Sequence, residues 1–384
     1  MKILFAGGGT LGPVTPLLAV AEAWRVVDPA VEFVWVGTPG GPDRKVVEAA
    51  GLRFVSIPVA RLTRYPSVEW LTLPVNLFRA ARQSWGILKD EQPNLVASAG
   101  GFTGVPLIVA ARLLGIPSWL HQQDVRPILS SRLVVPFATW ISTAWESSLA
   151  AFPKGKSAWV GNPVRANGTK VPVNSFPRDF SPVSTEFPGT LVPSGFHESY
   201  VRRFGLDPSR PTVLVFGGGG GALFLNRLME TIGREIAETA NVIHIVGTGK
   251  MTPTLESMGD NYVAVELLTE AMSDALTAAD LVVCRAGMGT ISDLSARGKA
   301  AIVVPLPNSP QEDNARVLEA GEAAVVLCED ATSPQECLEA IRGLLRDEQR
   351  RRSLGDNVQK LLRTDVAATI VQRLQKIASA MTSQ

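Results

Sequence analysis

The chain has 384 residues, of which 46% are hydrophobic and 19% charged, and its formal net charge is +1. This length and composition predict a globular protein with two domains, and the small net charge gives no reason to expect nucleic acid as a partner. Cys284, Cys328 and Cys337 lack metal-ligand spacing, so we expect buried thiols in a reducing compartment and no metal site.

The chain opens with a predicted strand over Lys2–Ala6, followed by the glycine-rich stretch Gly7–Pro13. No signal peptide is expected, because this strand begins directly after Met1. A helix is predicted next, with Thr15 as its N-cap and Pro16 at its first position. Such a loop brings backbone N–H groups and a helix N-terminus close to a ligand, which suits an anion or a polar group.

This first loop raises the possibility of a dinucleotide ligand. Gly7, Gly9 and Gly12 match the spacing of NAD-binding loops, although an ordinary tight turn has the same pattern. A dinucleotide-binding domain carries an acidic residue at the end of its second strand to hold a ribose. The predicted second strand, Val31–Gly37, is followed by no acid before Asp43. The sequence therefore disfavours NAD.

Further short apolar runs alternate with helical patterns, which predicts doubly wound parallel sheets. The predicted strands are residues 53–57, 95–98, 117–120, 158–160, 212–216, 241–247, 281–284 and 301–305. The second half repeats the opening, because its first strand leads into Gly217–Gly221 and then a helix. No acid ends its second strand either. We therefore expect one ligand in a cleft between two doubly wound domains.

Residues 166–195 break this pattern, since five prolines recur there among serines, threonines and three phenylalanines. We predict a linker or insertion that lies against the body of the protein. The domains are then residues 1–165 and 196–365. Ser333 and Glu336 form a predicted capping box, and the last helix, 366–384, is expected to pack back on the first domain.

Apolar and basic residues alternate at roughly helical spacing between Ala60 and Lys89. The apolar residues are Trp70, Leu71, Leu73, Leu77, Phe78, Ala81, Trp85 and Leu88, and the basic ones are Arg61, Arg64, Arg79, Arg82 and Lys89. One interpretation is a helix that packs its apolar face on the sheet. The other is a patch that rests on an anionic membrane surface. Glycines, prolines and Arg112 interrupt the apolar stretch 96–120, so any membrane contact is expected to be peripheral.

Polar residues are concentrated after two predicted strands of the second half. Arg285–Asp293 follows the strand that ends at Cys284, and Leu306–Asn314 follows the next strand. Loops at the carboxyl ends of parallel strands are where such sheets bind ligands. We therefore expect these two segments to be functional.

Taken in order, the motifs resemble those of the MurG-type glycosyltransferases, which belong to glycosyltransferase family 28 and have the GT-B fold. The resemblance excludes only residues 166–195. It rests on residues 8–13 with Pro16-Leu17, 100–102 with Pro106, 115–117 with 121–124, 161–165, 217–222 with Asn226, 285–287 with 290–293, and Gln311 with Asn314. It implies transfer of N-acetylglucosamine from UDP-N-acetylglucosamine to undecaprenyl-pyrophosphoryl-N-acetylmuramoyl-pentapeptide in peptidoglycan synthesis, by a peripheral protein on the cytoplasmic face of the membrane.

The resemblance also assigns individual residues to the two substrates. For the donor it implies Gly218, Gly219, Gly220 and Gly221 at the diphosphate, Thr269 and Met272 near the uracil, Asp293 at the ribose where the family has Glu, and Gln311 and Asn314 at the sugar hydroxyls. Thr10, Gly12, Asn162 and Arg165 are further donor contacts, and Arg165 complements the pyrophosphate charge. For the lipid-linked acceptor it implies Gly9, Gly100, Gly101, Phe102 and Gln122.

Two departures from the family concern the catalytic base. The acceptor hydroxyl attacks the anomeric carbon with inversion, and a base takes its proton. The family's first loop ends in His where this chain has Pro13, and the family's His-Glu-Gln-Asn reads His121-Gln122-Gln123-Asp124. Asp124 and His121 are therefore the candidate catalytic residues, although a core histidine is an equal interpretation of His121. The alternatives are another carboxylate as the base, or a protein that binds the sugar nucleotide without transferring it.

No Asp-x-Asp motif occurs in the chain. We therefore expect helix N-termini and Arg165 to stabilise the charge on the leaving UDP, without a metal or another cofactor. UDP-N-acetylglucosamine 2-epimerases share this architecture and are the rival enzyme class.

Overall fold

The computed structural model describes residues 1–8, 12–41, 43–57, 69–165, 194–218, 220–268 and 271–382, with the side chains of 69–78, 194–196 and 381–382 left out. Most of the predicted linker 166–195 lies outside the described residues. The chain forms two compact units. The first unit comprises Met1–Arg165 and Arg363–Gln384, and the second comprises Ala166–Leu362.

The first unit is built on a parallel sheet. Within its described residues the strands are β1 (Lys2–Ala6), β2 (Glu32–Gly37), β3 (Arg53–Ser56), β4 (Leu95–Ser98), β5 (Ser118–Gln122), β6 (Trp140–Thr143) and β7 (Ser157–Trp159). The helices are α1 (Val14–Val27), α2 (Asp43–Ala49), α3 (Glu69–Glu91), α4 (Gly104–Leu113) and α5 (Leu129–Val134). The strand order is β3-β2-β1-β4-β5-β6-β7. The winding direction therefore reverses between β1 and β4, which is where such sheets bind ligands.

The second unit is built in the same way. Its described strands are β8 (Thr212–Phe216), β9 (Asn241–Ile245), β10 (Tyr262–Val265), β11 (Leu281–Cys284), β12 (Ala301–Val303) and β13 (Val325–Val326). Its helices are α6 (Ser194–Arg203), α7 (Leu223–Ala237), α8 (Pro253–Glu256), α9 (Met272–Ala278), α10 (Met288–Arg297), α11 (Pro310–Ala320), α12 (Pro334–Arg346) and α13 (Glu348–Leu361). The order β10-β9-β8-β11-β12-β13 places the reversal between β8 and β11.

The C-terminal helix α14 (Ala367–Thr382) belongs to the first unit, where it packs beside α1. Ile370, Val371 and Leu374 are fully buried in the same apolar cluster as Trp24 of α1. Aromatic rings fill this cluster, and Phe5 stacks on Phe33 with their centroids 5.1 Å apart. The chain therefore returns from the second unit to complete the core of the first.

The predicted α/β class with two doubly wound parallel sheets is confirmed, and so is the capping box of Ser333 and Glu336. The prediction that Thr15 is an N-cap is wrong, because α1 begins at Val14 after Pro13. Pro13 already has helical backbone angles, with φ −69° and ψ −15°. Pro16 then lies within the first turn, where its missing N–H costs no hydrogen bond.

Two glycines allow α13 to approach the end of α10. A Cβ on Gly355 would lie 2.1 Å from the carbonyl oxygen of Gly298. We expect Gly355→Ala to lower the free energy of unfolding by about 1–3 kcal/mol, because the two backbones must separate. Gly343 in α12 has open space around it, so Gly343→Ala is expected to raise that energy by about 0.5–1 kcal/mol. Urea unfolding measures both, and a stabilised Gly355→Ala variant would contradict the packing.

Candidate active site

The second unit has a candidate anion site at the strand-order reversal between β8 and β11. Helices α7 and α10 begin there, and neither N-terminus has a side-chain cap. By contrast, Ser309, Ser333 and Asp347 cap α11, α12 and α13. The uncapped starts of α7 and α10 present a partial positive charge, which favours an anion.

The loop before α7 is held by a contact that only glycine permits. Gly221 has a φ of +69°, and a Cβ there would lie 2.2 Å from the carbonyl oxygen of Val246. A Cβ on Gly247 would lie 2.7 Å from the carbonyl oxygen of Gly220. Gly218 and Gly220 have open space at the Cβ position. One side of the loop thus packs on the segment after β9, whereas the other side is accessible. Gly219 lies outside the described residues.

Lys250 reaches this loop, a contact that the sequence motifs do not predict. Its ammonium nitrogen donates a 2.6 Å hydrogen bond to the carbonyl oxygen of Gly220. The carbonyl that would repel an anion is therefore paired with a cation. The available signal was Gly247-Thr248-Gly249-Lys250, a second glycine-containing turn directly after a strand.

A buried hydrogen-bond chain holds the start of α7 against β9. The Asn226 amide nitrogen donates to the Val246 carbonyl at 3.0 Å, and its side-chain oxygen lies 3.2 Å from Nε2 of His244. Nδ1 of His244 lies 2.7 Å from the hydroxyl of Tyr262. These partners are consistent with a neutral imidazole that donates from Nε2 and accepts at Nδ1. Burial lowers the pKa of His244 to about 4.

Asp293 of α10 is linked through Arg297 to the first turn of α9, which begins at Met272. The Arg297 guanidinium pairs with Asp293, with Nη1 and Oδ1 3.0 Å apart, and its Nη2 donates to Oγ of Ser273 at 3.3 Å. Burial raises the pKa of the Asp293 carboxyl and Arg297 opposes that shift. The Asp293 side chain is 31% exposed. Thr269 lies outside the described residues.

Gln311 and Asn314 of α11 lie beside the start of α10 but differ in exposure. Oε1 of Gln311 accepts from the Leu306 N–H at 3.0 Å, and its Nε2 lies 3.8 Å from the Cβ position of Gly287. Asn314 is 0% exposed and donates to the Ala286 carbonyl at 3.1 Å. Gln311 is thus at the rim, whereas Asn314 holds the β11–α10 loop in place. The sugar contact of each stays a prediction.

The first unit has a second glycine-lined site, between β1 and β4. A Cβ on Gly101 would lie 3.3 Å from the carbonyl oxygen of Gly8, and one on Gly8 would lie 2.9 Å from Oγ1 of Thr103. Gly100 and Gly101 have φ values of +105° and +87°, and Phe102 beside them is half-buried. The β1–α1 and β4–α4 loops therefore meet here. Gly12 is exposed, and Gly9 and Thr10 lie outside the described residues.

His121 on β5 is 0% exposed and both of its ring nitrogens have partners. Nδ1 lies 2.8 Å from Oγ of Ser142, and Nε2 lies 2.7 Å from Oδ1 of Asn162. Burial lowers the pKa of His121 to about 4, against the opposing effect of the Asn162 hydrogen bond. This environment favours the core-histidine interpretation of His121, and it buries the predicted donor ligand Asn162 beside it.

The remaining predicted residues of the first unit are also bonded. The Gln122 side-chain nitrogen donates to the backbone oxygen of Asp124 at 2.8 Å, which shapes the loop that carries the Asp124 carboxyl. Nε of Arg165 donates to Oε1 of Glu22 at 2.6 Å. Its Nη1 is buried and has no partner among the described residues. The predicted roles of these residues stay predictions.

Two family models match this chain, one on each unit. The N-terminal domain of glycosyltransferase family 28 matches residues 3–143, and the C-terminal domain of that family matches residues 212–370. The chain belongs to glycosyltransferase family 28. The family-28 resemblance drawn from the motifs is thereby confirmed. The two matched ranges of this family-28 protein include both strand-order reversals, the one between β1 and β4 and the one between β8 and β11.

Relatives are similar over most of the chain. A Nocardioides sp. protein named UDP-N-acetylglucosamine--N-acetylmuramyl-(pentapeptide) pyrophosphoryl-undecaprenol N-acetylglucosamine transferase is 35% identical, over 87% of this chain and 86% of its own. The Bifidobacterium longum protein of that name is 32% identical, over 92% and 91%. The crystal structure of Acinetobacter baumannii MurG covers 98% of this chain and 99% of its own, with a TM-score of 0.69 and 22% identity. This last likeness establishes the GT-B fold.

The buried histidines make the stability of this family-28 protein sensitive to acid. Well above pH 6.5 both histidines are neutral in the folded and unfolded states, so neither histidine lowers the free energy of unfolding there. As pH falls towards 4, the unfolded state binds protons that the folded state excludes, and stability is lost. With folded pKa values of about 4, we expect a loss of roughly 3 kcal/mol for each histidine.

Urea unfolding between pH 7 and pH 4.5 tests this expectation. His121→Gln and His244→Gln remove one titrating group each, so each should flatten the pH dependence relative to the wild type. The carboxylates are common to all three proteins and cancel in the comparison. Equal pH dependence in all three would contradict neutral buried histidines.

Proposed function

We propose that the protein transfers N-acetylglucosamine from UDP-N-acetylglucosamine to undecaprenyl-pyrophosphoryl-N-acetylmuramoyl-pentapeptide, converting lipid I to lipid II in peptidoglycan synthesis. The observation that carries the proposal is the match of both family-28 models, together with relatives 32–35% identical that are named for this activity. The same match favours transfer over the epimerase alternative. The protein is thus a UDP-N-acetylglucosamine-dependent glycosyltransferase.

We propose that the second unit binds the donor through its diphosphate. The uncapped N-termini of α7 and α10 and the accessible face of Gly218 and Gly220 support this role, because backbone N–H groups can approach phosphate oxygens there. Asp293 would accept hydrogen bonds from the ribose hydroxyls, and Gln311 would contact the sugar. Lys250 supplies a nearby positive charge.

In the proposed reaction, the acceptor hydroxyl oxygen bonds to the anomeric carbon as the bond from that carbon to the UDP oxygen breaks. The anomeric configuration inverts, UDP leaves with the bonding electrons, and a base accepts the hydroxyl proton. We assign the base to Asp124, a half-buried carboxylate on the loop after β5. The two helix N-termini would stabilise the charge that grows on the diphosphate. We further propose that this stabilisation requires no metal ion.

A transfer assay tests the function. Purified protein is incubated with labelled UDP-N-acetylglucosamine and the lipid-linked muramoyl-pentapeptide in detergent, with and without EDTA. We expect labelled lipid product and equimolar UDP, unaffected by EDTA, and a rate for Asp124→Asn lowered by about 100-fold or more. UDP-N-acetylmannosamine formed without acceptor would indicate an epimerase. UDP-sugar binding without any product would indicate a non-catalytic protein, and a normal Asp124→Asn rate would exclude that residue as the base.

Donor affinity is expected to depend on the accessible glycine face and on Asp293. Gly220→Ala introduces a methyl group where the diphosphate would lie, and Asp293→Ala removes two acceptor oxygens. We expect each variant to weaken UDP affinity by about 1–3 kcal/mol, measured by calorimetry. Gly343→Ala, which lies in α12 away from the carboxyl edge, is the matched control. Unchanged affinity in Gly220→Ala would refute the diphosphate position.

We also propose that α3 contacts the cytoplasmic face of an anionic membrane. Ala80 and Leu88 are buried, whereas Arg79, Arg82 and Lys89 are exposed, so the described half of the helix has a basic outer face. Of the predicted apolar stripe, Ala81 is exposed and Trp85 is half-buried, and the five residues from Trp70 to Phe78 lie outside the described side chains. Among the described residues, no helix has the length and apolarity to cross a membrane.

Vesicle binding tests this contact. Arg79→Glu with Arg82→Glu should reduce sedimentation with vesicles that contain anionic lipid, because two attractive charges become repulsive. Arg352→Glu, an exposed arginine on α13 of the second unit, is the control. Equal binding by both proteins would leave α3 with a packing role only.

A further inference from the structure

The two segments that connect the units are bonded to each other. The chain leaves the first unit after Arg165 and re-enters it at Arg363. The Asn162 N–H donates to the Arg363 carbonyl at 2.8 Å, and the Val164 N–H donates to the Thr364 carbonyl at 3.4 Å. The outgoing segment 161–165 and the returning segment 363–364 therefore run side by side within the first unit.

Side-chain packing reinforces this pairing. Gly161 has a φ of +100°, and a Cβ there would lie 2.3 Å from the Arg363 carbonyl oxygen. The Arg363 guanidinium carbon lies 4.2 Å from the centre of the Trp159 ring, within the range of a cation–π interaction. On the side of the second unit, Oγ of Ser295 in α10 donates to the Leu362 carbonyl at 2.7 Å. The returning segment is thus anchored just before it enters the first unit.

His121 provides the link from this pairing to the core of the first unit. The Trp119 indole N–H donates to Oγ of Ser142 at 2.8 Å. Oδ1 of Asn162 can only accept, so Nε2 of His121 carries the proton at 2.7 Å from it, and Nδ1 accepts from the Ser142 hydroxyl at 2.8 Å. Every donor in this chain has an acceptor, and the sequence of donors is consistent with one tautomer of His121. Asn162 is 1% exposed, and its side-chain oxygen is bonded to this ring inside the core.

We infer that His121 is a positioning residue, which through Asn162 holds the outgoing segment against the returning one where the chain passes between the two units. A base needs a ring nitrogen that a substrate hydroxyl can reach, and both nitrogens of His121 are already bonded inside the core. The consequence for transfer rests on the proposed function. The outgoing segment carries Arg165, and the returning segment is tied to α10, which carries Asp293.

Substitutions separate positioning from proton transfer. His121→Gln retains a side-chain donor for Asn162 but cannot act as a base, whereas His121→Leu retains neither property. We expect His121→Leu and Asn162→Ala to lower kcat/KM at least about tenfold each. Their combination should lower it no further, because both remove the same bond. His121→Gln should restore most of the rate and keep the acidic limb of the wild-type pH profile.

Amide hydrogen exchange gives a readout that is independent of transfer. In the full-length protein, the Asn162 N–H should exchange at least about tenfold faster in His121→Leu than in the wild type or in His121→Gln. His244→Leu is the matched control, since it removes a similarly bonded buried histidine from the second unit and should leave Asn162 protected. If His121→Leu fails to fold, Asn162→Ala and His121→Gln still test the positioning role. Exchange is then measured at the Val164 N–H, which donates to the Thr364 carbonyl.

The outcomes are distinguishable. Equal and complete loss of transfer in His121→Gln and His121→Leu, with Asn162 still protected in His121→Gln, would identify His121 as the base and overturn the positioning role. Unchanged protection in His121→Leu would also overturn it. A wild-type protein without transferase activity would refute the proposed function alone, and the exchange measurements would still test the positioning role.

Discussion

The close approach of two backbones at Gly221 is the constraint on which the candidate donor site depends. No side chain fits between Gly221 and the Val246 carbonyl, so the loop after β8 packs directly on the segment after β9. Asn226 of α7 and His244 of β9 fix the same contact through buried hydrogen bonds. The loop is therefore rigid on its packed side. Its other side and the start of α7 are left accessible, which is what recognition of an anion by backbone N–H groups requires.

The two units share a plan but differ in how they use it. Each has a strand-order reversal lined by glycines, and each has a buried histidine whose two ring nitrogens are bonded. In the second unit that histidine holds the glycine loop through Asn226, whereas in the first unit it holds the connecting segment through Asn162. The same chemical arrangement thus positions a candidate ligand loop in the second unit and the outgoing segment 161–165 in the first.

Local patterns predicted much of the fold because apolar runs bounded by glycine are short-range signals. Three strands were missed for physical reasons. β6 carries the buried polar residues Ser142 and Thr143, β13 has only two residues, and β10 is half-buried on most of its length. The burial of Ser142 in β6 is explained by its hydrogen bonds to Trp119 and His121 on the neighbouring strand β5.

The candidate site was predicted in part. Gly218, Gly220, Gly221, Asp293 and Gln311 do lie at one sheet edge, because strand-to-loop junctions can be read from the sequence. The surroundings of His121 could not be predicted, since its partners Ser142 and Asn162 are 21 and 41 residues away. Whether a polar residue near a motif faces a ligand or the core depends on such distant partners. Asn314 is a second example, bonded to a carbonyl 28 residues away.

In the proposed function, the second unit binds the diphosphate of the donor at the starts of α7 and α10. Amide hydrogen exchange of the full-length protein, with and without UDP, measures this directly. UDP should slow exchange in the peptides that span residues 217–226 and 286–292, and leave residues 98–104 of the first unit unchanged. Protection confined to residues 98–104 would contradict the assignment of the donor to the second unit.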